Sequence, residues 1–135
     1  MDRAAIVDHL TRYFAGREDV IAAYLFGSVA RGESRASSDV DIAVLLRDGK
    51  PATIADFDRV FEMQEQLGAL VRRNVDIVAM NEAPLDLLHR VLRDGVRVLD
   101  RDPLARMEFE LQVRTQYFDF LPILLRYRES VLRRA

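Results

Sequence analysis

Two apolar runs, residues 19–27 (DVIAAYLFG) and 39–46 (DVDIAVLL), constrain the fold of this chain more than any other feature. Each reads as a buried strand; the first is apolar on both faces and ends at Gly27. The link between them holds about ten residues, too short for a parallel crossover, so the pair is expected to run antiparallel. Around them the period changes to that of a helix. Ile6, Val7, Leu10, Tyr13 and Phe14 mark a helix over residues 2–14, stopped by Gly16. Residues 53–72 return to that period, with Ile54, Phe57, Val60, Phe61, Gln64 and Leu67 along one side. NVDIVAM (74–80) reads as a third strand. Residues 83–95 read as a helix, with Pro84 near its start and Gly95 beyond its end. VRVLD (96–100) reads as a short edge strand. Asp102 as N-cap and Pro103 in the first turn open a long helix to about Arg133, with a kink expected at Pro122.

The order is helix, strand, strand, helix, strand, helix, short strand, long helix. That predicts a mixed α/β (α+β) architecture in one domain over 1–135. With 50% hydrophobic residues the chain can build a real core. A formal net charge of -2 points to neither nucleic acid nor an acidic membrane. Cysteine is absent, which excludes disulfides and thiolate metal sites and favours a reducing cytoplasm. No run approaches the roughly 20 apolar residues that cross a bilayer, and the charged start MDRAAIVDHLTRYF is not a secretory signal.

Alternation along DVDIAVLL puts Val40, Ile42, Val44 and Leu46 on one face and Asp39, Asp41, Ala43 and Leu45 on the other. The two aspartates are ~7 Å apart along the strand, and their oxygens can converge on one ion. Asp76 heads a third apolar strand; if that strand neighbours the second, three carboxylates meet at one end of the sheet. Such groups must raise one another's pKa or take a counter-ion. Hard oxygen ligands suit Mg²⁺ or Mn²⁺. Taken singly, an Asp-x-Asp or a Gly-Ser is most often a solvated strand edge or a turn. The combination is less ordinary, and the turn adds what a triphosphate needs. Gly27 permits close backbone approach, and Ser28 offers a hydroxyl and an amide at the start of a helical turn. Arg31 lies one turn on, able to grip a phosphate oxygen, with Arg35, Ser37 and Ser38 as weaker candidates. His9 and His89 read as surface or structural residues.

GSVARGESRASSDVD resembles the signature of the DNA polymerase beta-type nucleotidyltransferase superfamily: Gly-Ser, ten residues, Asp-x-Asp. Gly27, Ser28, Asp39 and Asp41 match it, and Asp76 falls where that superfamily places its third acid. The short length, LFGSVARGE and the helix-rich stretch 87–119 are similar to its minimal nucleotidyltransferase (MNT) branch. The resemblance implies a mixed sheet flanked by helices and transfer of a nucleoside monophosphate to a hydroxyl. Members paired with HEPN proteins act as antitoxins: they bind the HEPN ribonuclease toxin, and some transfer AMP from ATP to a tyrosine on it. By that resemblance Asp39 and Asp41 hold Mg²⁺, and Asp76 completes the site as ligand and base for the acceptor hydroxyl. Gly27 and Ser28 then hold the triphosphate, and ATP is the substrate.

The final helix reads as too apolar for a small sheet alone. Leu111, Tyr117, Phe118, Leu121, Leu124, Leu125 and Leu132 form a broad stripe, either packed on the sheet or free to dock a helical partner or a second copy in a homodimer. Three functions follow: an adenylyltransferase antitoxin, an antitoxin acting by contact alone, or a nucleotidyltransferase with a small-molecule or RNA acceptor.

Overall fold

The computed structural model describes residues 1–33, 35 and 37–134. Both apolar runs become the central strands. β1 (Val20–Phe26) and β2 (Val40–Leu46) pair antiparallel, as their short link requires. β3 (Val75–Ala79) lies parallel to β2, and β4 (Val96–Asp100) antiparallel to β1, giving the order β3-β2-β1-β4. A parallel pair needs a crossover, and helix α3 (Ile54–Val71) supplies it.

The two faces of β2 bury into different cores. Val40, Ile42 and Val44 pack with Ile6, Leu10 and Phe14 of α1 (Arg3–Ala15) and with Met63, Leu67 and Val71 of α3. Ala43 and Leu45 pack with Leu88 and Val91 of α4 (Leu85–Asp94) and Val113 of α5 (Pro103–Arg134). In β1 the register slips between Val20 and Ala22, so the adjacent Ile21 and Ala22 face the same core.

Helix starts follow the sequence. Asp2 caps α1 by accepting from the Ala5 amide at 2.9 Å, and Asp102 caps α5 by accepting from the Ala105 amide at 3.1 Å. Thr53 and Asp56 form a reciprocal capping box at α3. The amides of Ala52 and Thr53 hold the Asp56 carboxyl down to about 2.

Two faces differ from expectation. The row of α3 against the sheet is Val60, Met63, Leu67 and Val71: Val60 and Leu67 of the expected stripe are in it, and the rest of the stripe lies to one side. Ile54, Phe57 and Phe61 point outward, Ile54 82% exposed. A helix that is apolar around much of its girth does not announce which row meets the sheet. Gln64 lies between the two rows and accepts from the Ile77 amide at 2.9 Å, covering the open edge of β3. On α5, the apolar stripe does not pack on the sheet either: Leu111 and Phe118 are each 66% exposed. The helix is anchored instead by Arg106, Glu110 and Val113. Glu110 accepts from the Tyr24 hydroxyl, from Arg106 Nη1 at 3.1 Å and from Arg114 Nη1 at 3.4 Å. Arg106 Nε lies 3.0 Å from Asp100 Oδ1, an ion contact at an angle short of a hydrogen bond. Burial pushes Glu110 up, but the Tyr24 and Arg106 hydrogen bonds outweigh it and leave its pKa below the ordinary value. The helix continues through Pro122, which gives the Phe118 carbonyl no helical donor. Among the described residues no helix is long and apolar enough to cross a membrane.

Candidate active site

The start of β2 gathers the predicted residues. Asp41 sits opposite Asp76 in the parallel ladder, so both carboxylates rise from the same face on strands ~4.8 Å apart. On its other side Asp41 sits opposite Phe26, the residue before Gly27. Asp39 precedes β2 and is exposed. The Asp41 pKa is raised, first by burial, then by the charges of Asp76 and Asp39, with Arg31 opposing. Those terms couple the three acids electrostatically. Among the described residues no three carboxylate or imidazole groups close on one point; Asp41 lines the cleft beside Gly27, Asp76 borders the neighbouring hollow on the β3 side, and Asp39 lines neither. An all-carboxylate donor set, with the half-buried Asp41 carboxyl raised by its neighbours' charge, fits a hard divalent cation.

Gly27 is fixed by two constraints. Its φ is +75°, and a Cβ built there would stand 2.3 Å from Asp41 Oδ2. Only glycine lets the carboxylate lean on the backbone at this point. Helix α2 (Gly27–Arg31) begins here, and no side chain caps its first turn. Five residues make a weak dipole, so what α2 offers an anion is its uncapped N–H groups. Ser28 and Arg31 follow Gly27 into the same cleft, which Asp41 closes from β2.

The opposite wall comes from α4, and sequence reasoning missed it. Arg90, Arg93 and Asp94 line the cleft at i, i+3 and i+4. The available signal was that spacing on a helix whose other face carries Leu88 and Val91. Arg93 is held by Asp94 through two bonds, at 3.0 and 2.8 Å. Arg31 pairs with Glu33 at 3.1 Å, both side chains well exposed. Gly95 ends α4 tightly, since a Cβ there would stand 2.3 Å from the Val91 carbonyl oxygen.

Ser38 is elsewhere. Its Oγ accepts from the Arg35 amide at 2.8 Å, and Arg73 binds the carbonyls of Ser38 and Arg35, each at 2.8 Å. Arg35, Ser37 and Ser38 thus belong to the loop before β2 and not to the cleft lining. Ser34 and Ala36, within the spacer of the motif, lie outside the described residues. Asp76 also borders a neighbouring hollow with Gln64 and Asn74, on the β3 side. A tighter hollow lined by Leu46, Asp48, Pro51 and Arg59 lies at the far end of β2, away from the acids.

Comparison with known proteins agrees with this geometry. Residues 8–104 match the family described as Polymerase beta, Nucleotidyltransferase. A Methanocaldococcus jannaschii protein provisionally named a protein adenylyltransferase is 36% identical over 84 residues, covering 62% of this chain and 84% of its own length. The protein adenylyltransferase MntA of Shewanella oneidensis is 35% identical over 72 residues, 53% of this chain; the match spans 48% of that protein, about half its length. A chain from the solved complex of tri-AMPylated Shewanella oneidensis HEPN toxin with MNT antitoxin superposes with a TM-score of 0.71 at 18% identity, covering 96% of this chain and 98% of that one. At that identity the likeness speaks for the fold. With the family match running from α1 through β4, and Asp41 set between Asp76 and the Gly27 turn, the chain belongs to the polymerase beta nucleotidyltransferase family.

Proposed function

We propose that this chain is a single minimal nucleotidyltransferase domain acting in the cytoplasm as an antitoxin. It transfers AMP from ATP to a tyrosine hydroxyl of a cognate HEPN ribonuclease toxin, with Mg²⁺ as the working ion and Mn²⁺ as a substitute. The observation that carries the reading is the register of Asp41 opposite Asp76, beside a glycine on which Asp41 leans. Support for the acceptor comes from the relatives named as protein adenylyltransferases and from the complex containing an AMPylated HEPN toxin.

The roles follow from position. Asp39, Asp41 and Asp76 hold the divalent ion. When bound, the ion neutralises charge on the transferring phosphoryl group and lowers the pKa of the attacking hydroxyl. Gly27 and Ser28 bring backbone N–H groups against the phosphates, and Arg31 adds a guanidinium. Asp76 is the more exposed of the opposed pair and borders the β3 hollow, so it faces the incoming tyrosine and accepts its proton. Attack on the α-phosphorus in line with departing pyrophosphate needs positioning and charge neutralisation, with no protein nucleophile. That suits a chain with two histidines and no cysteine.

The exposed apolar residues of α5, Leu111, Phe118, Leu125 and Leu132, form the docking face for the helical toxin. That face also favours a second reading, neutralisation by contact alone. One experiment separates the two. A candidate cognate HEPN protein is incubated with this chain, ATP and Mg²⁺, and its intact mass is measured. Stepwise addition of AMP, lost with Asp39→Ala or Asp41→Ala, supports transfer. An unchanged mass, with toxicity still suppressed by the double aspartate variant, supports contact.

A further inference from the structure

The cleft beside Gly27 carries more cationic side chains than the motif accounts for. Arg31 is engaged by Glu33, and Arg93 by Asp94. Arg90 also lines the cleft, and among the described residues it has no ion-pair partner. It is one turn before Arg93 on α4, on the side of the sheet from which Asp41 rises. We propose that Arg90 is the terminal phosphate clamp of this site, binding the β- and γ-phosphate oxygens of a nucleoside triphosphate whose α-phosphate lies by Asp41. The proposal rests on the nucleotidyltransferase reading and extends it to a residue outside the Gly-Ser and Asp-x-Asp signature.

Three observations favour Arg90 over its neighbours. A guanidinium already tied in a bidentate carboxylate pair must lose that pair to bind phosphate, and Arg93 is in that position. Arg90 has no such pair to break. The donors at the other wall, Gly27, Ser28 and Arg31, lie on one short helix, so they can surround only one side of a phosphate chain. Arg90 supplies a donor from the opposite wall. The walls also stand in a defined relation, because Leu88 and Val91 of α4 are buried in one cluster with Tyr24 of β1 and Ala43 and Leu45 of β2. The planar fork of arginine suits two oxygens of one phosphate, which lysine cannot match.

The full-length chain is tested by titration calorimetry with Mg²⁺ present, using ATP, inorganic tripolyphosphate and AMP as probes. The variants are Arg90→Gln, Arg90→Lys and Arg93→Gln, all at exposed positions that leave the buried core intact. Arg90→Gln is expected to weaken ATP and tripolyphosphate about tenfold while changing AMP binding less than about twofold. Arg90→Lys should recover part of that loss, and Arg93→Gln should weaken ATP less than Arg90→Gln does. In transfer assays the Arg90→Gln defect should appear in KM for ATP more than in kcat. Unchanged ATP and tripolyphosphate affinity in Arg90→Gln, in a protein that still transfers AMP, overturns the clamp and leaves the enzyme reading standing. Equal losses for AMP and ATP also overturn it. Failure of the unsubstituted protein to bind ATP at all sinks the enzyme reading together with the clamp.

Discussion

A methyl group at residue 27 would collide with the Asp41 carboxylate and force a side chain into a left-handed backbone. Gly27→Ala should therefore cost about 1–2 kcal/mol in stability from backbone strain. AMP transfer should fall by more than about a hundredfold, because the carboxylate must leave its place. Thermal melts and transfer assays on the same sample separate the two effects. Asp41 itself gives a second prediction. Its pKa is raised in the fold, so the folded protein holds that proton more tightly than the unfolded chain does. Stability then falls as pH climbs from the ordinary carboxylate range through the raised value, and the cost is fully present above it. Asp41→Asn should melt above the unsubstituted protein in EDTA at neutral pH, with the gap closing as pH falls through the raised value to the ordinary carboxylate range. Mg²⁺ should raise the melting temperature of the unsubstituted protein and leave the variant unmoved. At this scale alternation and the Gly-Ser turn made legible the face that Asp41 takes and the turn at Gly27 and Ser28, while the parallel pairing that sets Asp76 opposite Asp41 had to come from the structure. Arg90 was not legible, because nothing local distinguishes an arginine facing a cleft from one facing water.

Among the elements, α5 is held by a buried polar cluster beside Val113, Ala105 and Phe109, which pack with Leu88 and Val91 of α4. Tyr24 from β1 and Arg106 from α5 both donate to Glu110, while Asp100 of β4 holds Arg106 from the other side. Tyr24→Phe leaves the Glu110 carboxylate short of a donor and should destabilise by about 1.5–3 kcal/mol. Chemical denaturation measures this directly. The Glu110 pKa is depressed in the fold, so its contribution is present above the ordinary carboxylate range and disappears as pH falls through the folded value. The stability difference between the Tyr24→Phe variant and the parent should accordingly shrink in acid. Element order, caps and the antiparallel β1–β2 pair were legible in the chain, since each is a local matter of period, turn residues or link length. The faces of α3 and α5 were not. Both helices carry more apolar residues than the sheet covers, and which row is buried depends on tertiary placement. Long-range links such as Arg101, which binds the carbonyls of Phe14, Ala15, Val20 and Arg17 from 81 to 87 residues away, leave no trace in local sequence.

Across the whole molecule, the buried part of α5 ends at Val113, with the stack of Tyr117 on His89 just beyond (ring centroids 3.6 Å apart). The remainder of the helix extends past the domain with Ile123, Leu125, Tyr127 and Leu132 exposed. A chain shortened to residue 119 should therefore melt within about 2–4 °C of the full chain, since no buried position among the described residues is lost. It should keep metal and ATP binding but fail to form a stable complex with the HEPN partner in size-exclusion chromatography. The central claim is that Asp39, Asp41 and Asp76 share a divalent ion beside the Gly27–Ser28 turn. Electron paramagnetic resonance of Mn²⁺ titrated into the protein with a non-hydrolysable ATP analogue tests it most directly. Saturable bound Mn²⁺ that disappears in the Asp41→Asn/Asp76→Asn variant is the predicted result. Equal Mn²⁺ binding by a folded double variant and the unsubstituted protein would contradict it.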